Sequence, residues 1–510
     1  MRATDSTWWR DGVLYQIYPR SFADASGDGV GDIAGIVSRL DYLEWLGVAG
    51  IWLNPTMPSP NLDWGYDVAD YCDVHPDLGT LGDLDRLVAE ADRRGLRVVL
   101  DLVPNHTSDR HPWFIDARSS RTSAHRDWYF WRDPRPDGSP PNNWRSNFGG
   151  GSAWELDART GQLYLHHFLR QQPDLDWWSE GVRDAFDEIQ RFWFDRGIAG
   201  FRIDVVSELV KLRDLPDDVD PGEFARHADA EETHRVLRRW RALADGYQPR
   251  RILIGETWVM DAENLASFYG TGTDELHLAF NFPFMFASLD AAELRTVVEQ
   301  AEGALPPEAW PVWTGSNHDF VRFPTRWCGG DERKVRCALL VLLTLRGTPL
   351  LYYGDELGME QVEVTGGAAR DAADRRDGAR TPMQWSGERG AGFTSAGAEP
   401  WLPFGDYAER NVEAQRDDPG SHLSLVRDLI ALRREHPELR SGSYESLPRA
   451  PGSWAWRRGD AITVAVNLSG AEVGLEGVEG RVAISTDRSR DGDPVDGRLR
   501  LGPWSGAIVT

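Results

Sequence analysis

The spacing of apolar residues switches repeatedly between a period of two and one near 3.6, and each switch marks an element. Val13-Leu-Tyr-Gln-Ile-Tyr18 is short, aromatic and β-branched, and predicts a strand. Ile36, Leu40, Leu43 and Leu46 follow at helical spacing and predict one helix over 33–46, with Gly47 placed to end it. Ala49-Gly-Ile-Trp-Leu-Asn54 predicts a second strand. Leu81, Leu84, Leu87, Val88 and Ala91 predict a second helix, ended by Gly95, and Arg97-Val-Val-Leu-Asp-Leu-Val103 a third strand. Strand and helix alternating in this way imply a parallel sheet.

The rhythm lapses over 107–172, which is rich in Trp, Pro, Asn, Gly and Arg and shows no helical period. That is too long for a simple strand-to-helix connection and predicts an inserted subdomain. Alternation then resumes, with helices over 181–196, 230–244 and 334–345 and strands over 198–204, 251–256, 275–280, 310–314 and 348–353. A polar, Gly-rich loop runs from 354 to about 420, and a last amphipathic helix covers 421–434. Short β runs such as 461–466 predict an antiparallel domain over 437–510. The expected class is α/β: a (β/α)8 TIM barrel from 1–106 and 173–436, the insertion after strand 3, and the C-terminal β domain. Four strands end in clustered polar residues: Asp101-Leu-Val-Pro-Asn105-His106, Gly200-Phe201-Arg202-Ile203-Asp204, Gly255-Glu256-Thr257 and Gly315-Ser316-Asn317-His318-Asp319. Such a barrel builds its active site at that end of its strands.

Charge and composition narrow the partners. A net charge of −25 opposes nucleic acid and strongly anionic substrates. No apolar run approaches the ~18 residues of a membrane span, and the first ten residues lack the apolar core of a signal peptide. Cytoplasmic localisation without membrane contact is expected. Cys72, Cys328 and Cys337 form no CxxC pair and are expected as reduced thiols. Most of the 23 tryptophans are expected in core packing, and the rest as flat apolar walls such as sugar-binding clefts use. Asp24, Ser26, Asp28, the Val30 carbonyl and Asp32 place oxygens at every second position, as a Ca²⁺ loop does. Mg²⁺ is the alternative occupant, a metal-free Gly/Asp turn the alternative structure, and no organic cofactor is expected.

The four strand-end segments resemble, in order, the signature regions of the α-amylase family of glycoside hydrolases (family 13). Gln172-Pro-Asp-Leu-Asp176 and Gly354-Asp-Glu-Leu-Gly358 add to the likeness. Tyr15-Gln-Ile-Tyr-Pro-Arg-Ser21, Gly65-Tyr-Asp67 and Arg380-Thr-Pro-Met-Gln-Trp385 resemble its bacterial α-glucosidase and oligo-1,6-glucosidase branch. The resemblance implies Asp204 as nucleophile, Glu256 as general acid/base and Asp319 as a third carboxylate on the sugar hydroxyls. It implies Tyr66, His106, Phe168, Arg202 and His318 around the same glucose, and Asp67 with Arg380 as the pair that closes the pocket. The Asp24–Asp32 loop resembles the family's metal loop, with Ser26 where Asn is usual.

Residue chemistry fits these roles. A glycosidic bond is cleaved between one ionised and one protonated carboxyl group. Arg202 shares a strand face with Asp204 and would hold it ionised, and Glu256 ends an apolar strand, where burial raises a carboxyl pKa. The expectation is a retaining exo-acting α-glucosidase on short α-1,4- or α-1,6-glucosides, monomeric or dimeric. Val205 resembles the α-1,6 members, whereas 317–327 resembles the α-1,4 members. The alternative is a transglucosidase or sugar isomerase with the same glucosyl–Asp204 intermediate. A non-catalytic transporter accessory fits poorly, because all three carboxylates are present.

Overall fold

The computed structural model describes residues 7–218, 228, 230–371, 376–448 and 450–510. The start of the N-terminal stretch read for a leader and four residues of the 354–420 loop lie outside the described residues. Eight parallel strands form the central sheet: Leu14–Ile17, Gly50–Leu53, Arg97–Leu102, Gly200–Ile203, Ile252–Gly255, Leu278–Ala279, Val312–Thr314 and Thr348–Tyr352. Ladders join them in the order seventh, eighth, then first to sixth. A parallel bridge from Phe280 to Val312 links the sixth to the seventh and completes the ring.

The period of two sorts each strand's residues onto two sides. Leu14, Trp52, Val99, Ile252, Ile254, Leu278, Val312 and Leu350 fill the barrel interior. Their alternates Tyr15, Ile17, Ile51, Leu53, Val98, Leu100, Phe201, Ile203 and Leu253 join the larger core between strands and outer helices. The helices that cover this ring include Leu81–Arg93, Glu180–Asp195, Ala230–Asp245, Glu332–Thr344 and His422–Glu435.

Local departures have local causes. Where 33–46 predicts one helix there are two, Ile33–Ser38 and Leu40–Leu46. Arg39 between them leaves the helical region (φ −111°, ψ 6°). Its guanidinium stacks 4.4 Å over Trp385 and donates to the Gly392 carbonyl at 2.6 Å. Gly47 does end the second helix, at φ +90°, a conformation that costs glycine little. The sixth strand shrinks to Leu278–Ala279. Glu275, expected to begin it, instead faces His234 and Arg238.

The 107–172 insertion does contain helix, in Pro112–Ala117 with His111 as cap. Beyond it lies a three-stranded antiparallel sheet, Trp131–Arg132, Gln162–Leu165 and Trp154–Asp157, with its own small core around Trp144, Trp154 and Leu165. The C-terminal strands pair antiparallel in a six-stranded sheet from Tyr444–Ser446 to Ser505–Val509 and a two-stranded ribbon. Arg458 ties this sheet to the barrel, donating to the Thr344 and Leu439 carbonyls at 2.6 and 3.0 Å. Among the described residues no helix is long and apolar enough to cross a membrane.

Candidate active site

Above the apolar barrel interior lies a polar layer, because two residues further along a strand returns to the same face. Gln16, Asn54, Asp101 and Glu256 stand two positions beyond Leu14, Trp52, Val99 and Ile254, and Arg202 two beyond Gly200. Arg202 is the hub. Its Nη1 donates to Asp101 Oδ1 at 2.9 Å and Asp204 Oδ1 at 2.6 Å, and its Nη2 lies 2.9 Å from Glu256 Oε1. All four side chains are buried. Directly after Asp204 the backbone of Val205 takes the left-handed conformation (φ +46°). A β-branched residue is strained there. The bend aims the Val205 amide at Glu256 Oε2, at 2.9 Å.

One guanidinium thus serves three carboxyl groups rather than Asp204 alone. Burial pushes the Asp204 carboxyl up and Arg202 pulls it down, while Glu256 and Asp101 add repulsion; the net direction is upward. Burial likewise pushes Asp101 up to about 7, against the pull of Arg202. Arg202 pulls on Asp101 and Asp204 together, so these two carboxyl groups are not independent. Asp319 behaves oppositely. Burial works against its charge, but His318, Arg376 and Arg380 outweigh it and hold the carboxyl below its ordinary range. Burial pushes the His106 and His318 imidazoles down, His318 the more strongly.

These carboxyl groups face a cavity of about 200 Å³. Asp204, Glu256 and Asp319 line it, with Tyr66, His106 and Phe168 as expected. Arg202 and His318 do not; both are buried in the wall behind, His318 with its Nε2 2.6 Å from the Tyr66 hydroxyl and 3.1 Å from Asp319 Oδ2. The pair that closes the pocket is not Asp67 and Arg380. Asp67 is turned inward, accepting from Ser59 Oγ at 2.6 Å and from the Leu62 and Asp63 amides at 3.0 and 3.1 Å. Arg380 is spent on the His318 carbonyl at 2.9 Å and Asp319 at 3.0 Å. Asp63 and Arg376 stand in the wall instead, 2.5 Å apart. Arg376 Nη1 also reaches Asp319 at 3.2 Å, and its guanidinium lies over Phe148. The backbone turns at Trp64 (φ +49°) and Gly65 (φ +109°), which separates the side chains of Asp63 and Asp67. Asp63, Arg376, Asp101 and Phe148 are therefore site residues that spacing does not single out. The signal for Asp101 is present, since it shares the inward face with Arg202 in register.

The Asp24–Asp32 loop closes on itself. Asp24 accepts from the Gly27 and Gly29 amides at 2.6 and 2.8 Å and Asp28 from Val30 at 2.9 Å. Asp32 accepts from Ala25, Ser26 and Gly35 at 3.1, 3.0 and 2.6 Å. Its oxygens are of the type Ca²⁺ prefers, yet in this arrangement they do not converge. Among the described residues no three Asp, Glu, His or Cys side chains are placed to hold a metal ion.

A parallel barrel with Asp204, Glu256 and Asp319 around a cavity at the carboxyl ends of its strands fits a glycoside hydrolase. The chain matches the family described as alpha amylase, catalytic domain, over residues 16–442, and it belongs to the α-amylase family. It is 41% identical over 475 residues to a probable alpha-glucosidase of Rhizobium meliloti (strain 1021), covering 86% of this chain and 85% of that protein. An oligo-1,6-glucosidase of Heyndrickxia coagulans is 37% identical over 516 residues, covering 91% and 92%. Among solved structures, an alpha-glucosyl transfer enzyme, XgtA, superposes with a TM-score of 0.89 at 38% identity, over 99% of both chains.

Proposed function

We propose that the protein is a retaining exo-acting α-glucosidase that removes one non-reducing terminal glucose from short α-glucosides. The observation that carries this is the cavity lined by Asp204 and Glu256, which share one guanidinium, and by the Asp63–Arg376 ion pair, which we read as closing it behind a single glucose. At about 200 Å³ it is smaller than the ~300–1,000 Å³ of drug-sized sites and suits a single sugar ring. Asp204 attacks the anomeric carbon as the glycosidic oxygen takes the proton of Glu256. Glu256 then takes a proton from water, which releases β-linked glucose from Asp204 as the α anomer. Asp319, Tyr66, His106 and Phe168 receive the sugar from the walls, and Arg202 and His318 support them from behind. The names of the two relatives support α-glucosides as substrates, the second with 1,6 linkages.

Proton NMR of the first product tests the mechanism: α-glucose is expected from maltose and isomaltose, and β-glucose would overturn it. Asp204→Asn is expected to lose roughly 10⁴-fold or more in kcat with an unchanged melting temperature; near-normal turnover would remove Asp204 from its role. The second reading is glucosyl transfer to a sugar in place of water. The likeness to the alpha-glucosyl transfer enzyme favours it, as does the apolar mouth of Val205, Trp258 and Phe320. Product ratios at high maltose separate the two. We further propose a cytoplasmic monomer or dimer, with Ca²⁺ or Mg²⁺ in the Asp24–Asp32 loop as a structural ion.

A further inference from the structure

The first barrel strand puts into the polar layer one amide for which the proposed mechanism has no use. Gln16 is fully buried. Its Nε2 lies 2.9 Å from Asn54 Oδ1 and 2.9 Å from His318 Nδ1. Asn54 Nδ2 donates to the Tyr66 hydroxyl at 3.0 Å, His318 Nε2 lies 2.6 Å from the same hydroxyl, and that hydroxyl donates to Asp101 Oδ2 at 2.9 Å.

With Asp101 ionised and accepting from Tyr66, counting hydrogens fixes every direction in this chain. The Tyr66 hydroxyl has one proton, and Asp101 receives it. The phenol oxygen must then accept from both Asn54 and His318, so His318 carries its proton on Nε2. Its Nδ1 is left with a lone pair in a buried place and needs a donor. The Gln16 amide has two N–H groups and two acceptors, Asn54 Oδ1 and His318 Nδ1. Turning that amide over would set its oxygen against the Asn54 oxygen and the Nδ1 lone pair.

We propose that Gln16 is a positioning residue of the active site: its two N–H bonds lock His318 as the neutral Nε2–H tautomer, the form that holds Tyr66 and Asp319 in the cavity wall. Protonating Nδ1 would drive an N–H against the Gln16 N–H. A cationic His318 would also bind Asp319 more tightly and draw that carboxylate away from a sugar. The groups that face His318 come from several elements: Tyr18 after the first strand, Tyr66 after the second, Arg202 on the fourth, Asp319 beside it, and Arg376 and Arg380 from the loop after the eighth. The three guanidiniums oppose a charge on the ring and Asp319 favours one, but none of these guanidiniums selects which nitrogen holds the proton. Gln16 does.

The role in turnover rests on reading the cavity as a glucose pocket; the tautomer does not. The test uses full-length protein with ¹⁵N-labelled histidine, the His318 resonances being identified among the 12 histidines by their loss in His318→Asn. Wild type is expected to show neutral His318 protonated on Nε2 at pH 8, where Asp101, raised to about 7, is ionised. Gln16→Glu offers Nδ1 an acceptor and should turn His318 into an imidazolium, with kcat/KM on maltose falling about 10-fold or more. Gln16→Met keeps the volume but removes both donors, and should leave His318 a mixture of tautomers. An imidazolium or an Nδ1–H form in wild type overturns the proposal, and this measurement needs no variant. Unchanged His318 signals in Gln16→Glu or Gln16→Met overturn it as well. A protein inert on every α-glucoside but with the stated tautomer would refute the functional reading and leave this one standing.

Discussion

At the scale of residues, charge is shared rather than paired. Arg202 divides one positive charge among Asp101, Asp204 and Glu256, and the linkage has a definite sign. Asp101 has a folded-state pKa raised to about 7 by burial. Keeping it folded therefore costs nothing below the unfolded value near ~4, and the cost grows as pH rises from there towards 7. The melting temperature of Asp101→Asn minus that of wild type is thus expected to increase over this window. Thermal scans at a series of pH values check it; a flat or falling difference would contradict the shift. Asp63 and Asp67 should separate cleanly. Asp63→Ala removes one of the carboxylates on the buried Arg376, which keeps Asp319 and Asp371, and is expected to raise KM for maltose about 10-fold or more. Asp67→Asn keeps an acceptor for Ser59 and the loop amides and should alter the melting temperature more than KM. Steady-state kinetics on both variants decide it. The candidate catalytic carboxyl groups are legible in the sequence because the four strand-end segments resemble the family's signature regions in order; period two adds only that Arg202 and Asp204 share a strand face. Asp63 and Arg376 are not, since loop residues have no period and an acidic neighbour four residues on looks the same.

At the scale of elements, the tertiary environment overrides local pattern where a side chain finds a better partner. Arg39 breaks a helix that apolar spacing alone would continue, because Trp385 and the Gly392 carbonyl hold its guanidinium. The length and type of the barrel elements follow from their periodicity, but ends such as Glu275 depend on long-range ion pairs that no spacing reveals. The Asp24–Asp32 loop is the element whose role is most open to measurement. A cation would have to draw Asp28 off the Val30 amide and gather Asp24 and Asp32 with it. With Ca²⁺ at a hundred times its Kd, mass action would add about 2.7 kcal/mol of stability. A rise in melting temperature with millimolar Ca²⁺ and a fall with chelator are expected under the metal proposal. Identical melting curves would leave the loop as the hydrogen-bonded turn described above.

At the scale of the molecule, the C-terminal sheet and the barrel are joined by buried cations as well as apolar contact. Arg458 and Arg433 cap carbonyls at the end of helix Glu332–Thr344 and the start of the eighth strand. Arg458→Ala would strand the Thr344 and Leu439 carbonyls, a loss of roughly 2–4 kcal/mol. The expected outcome is a lower melting temperature with KM unchanged, since the site lies at the other end of the strands; a changed KM with normal stability would contradict it. The alternation of elements shows the barrel in the sequence, whereas the cavity's closure rests on two loops that meet only in the fold. That closure has a kinetic meaning. With the pocket closed by the Asp63–Arg376 pair as proposed, there is one doorway, and after cleavage the aglycone stands in it while glucose sits behind. Departure is therefore ordered, aglycone first and glucose last. Glucose should inhibit competitively with the substrate, the released aglycone should not, and each encounter with a longer chain should trim a single unit before the chain diffuses away.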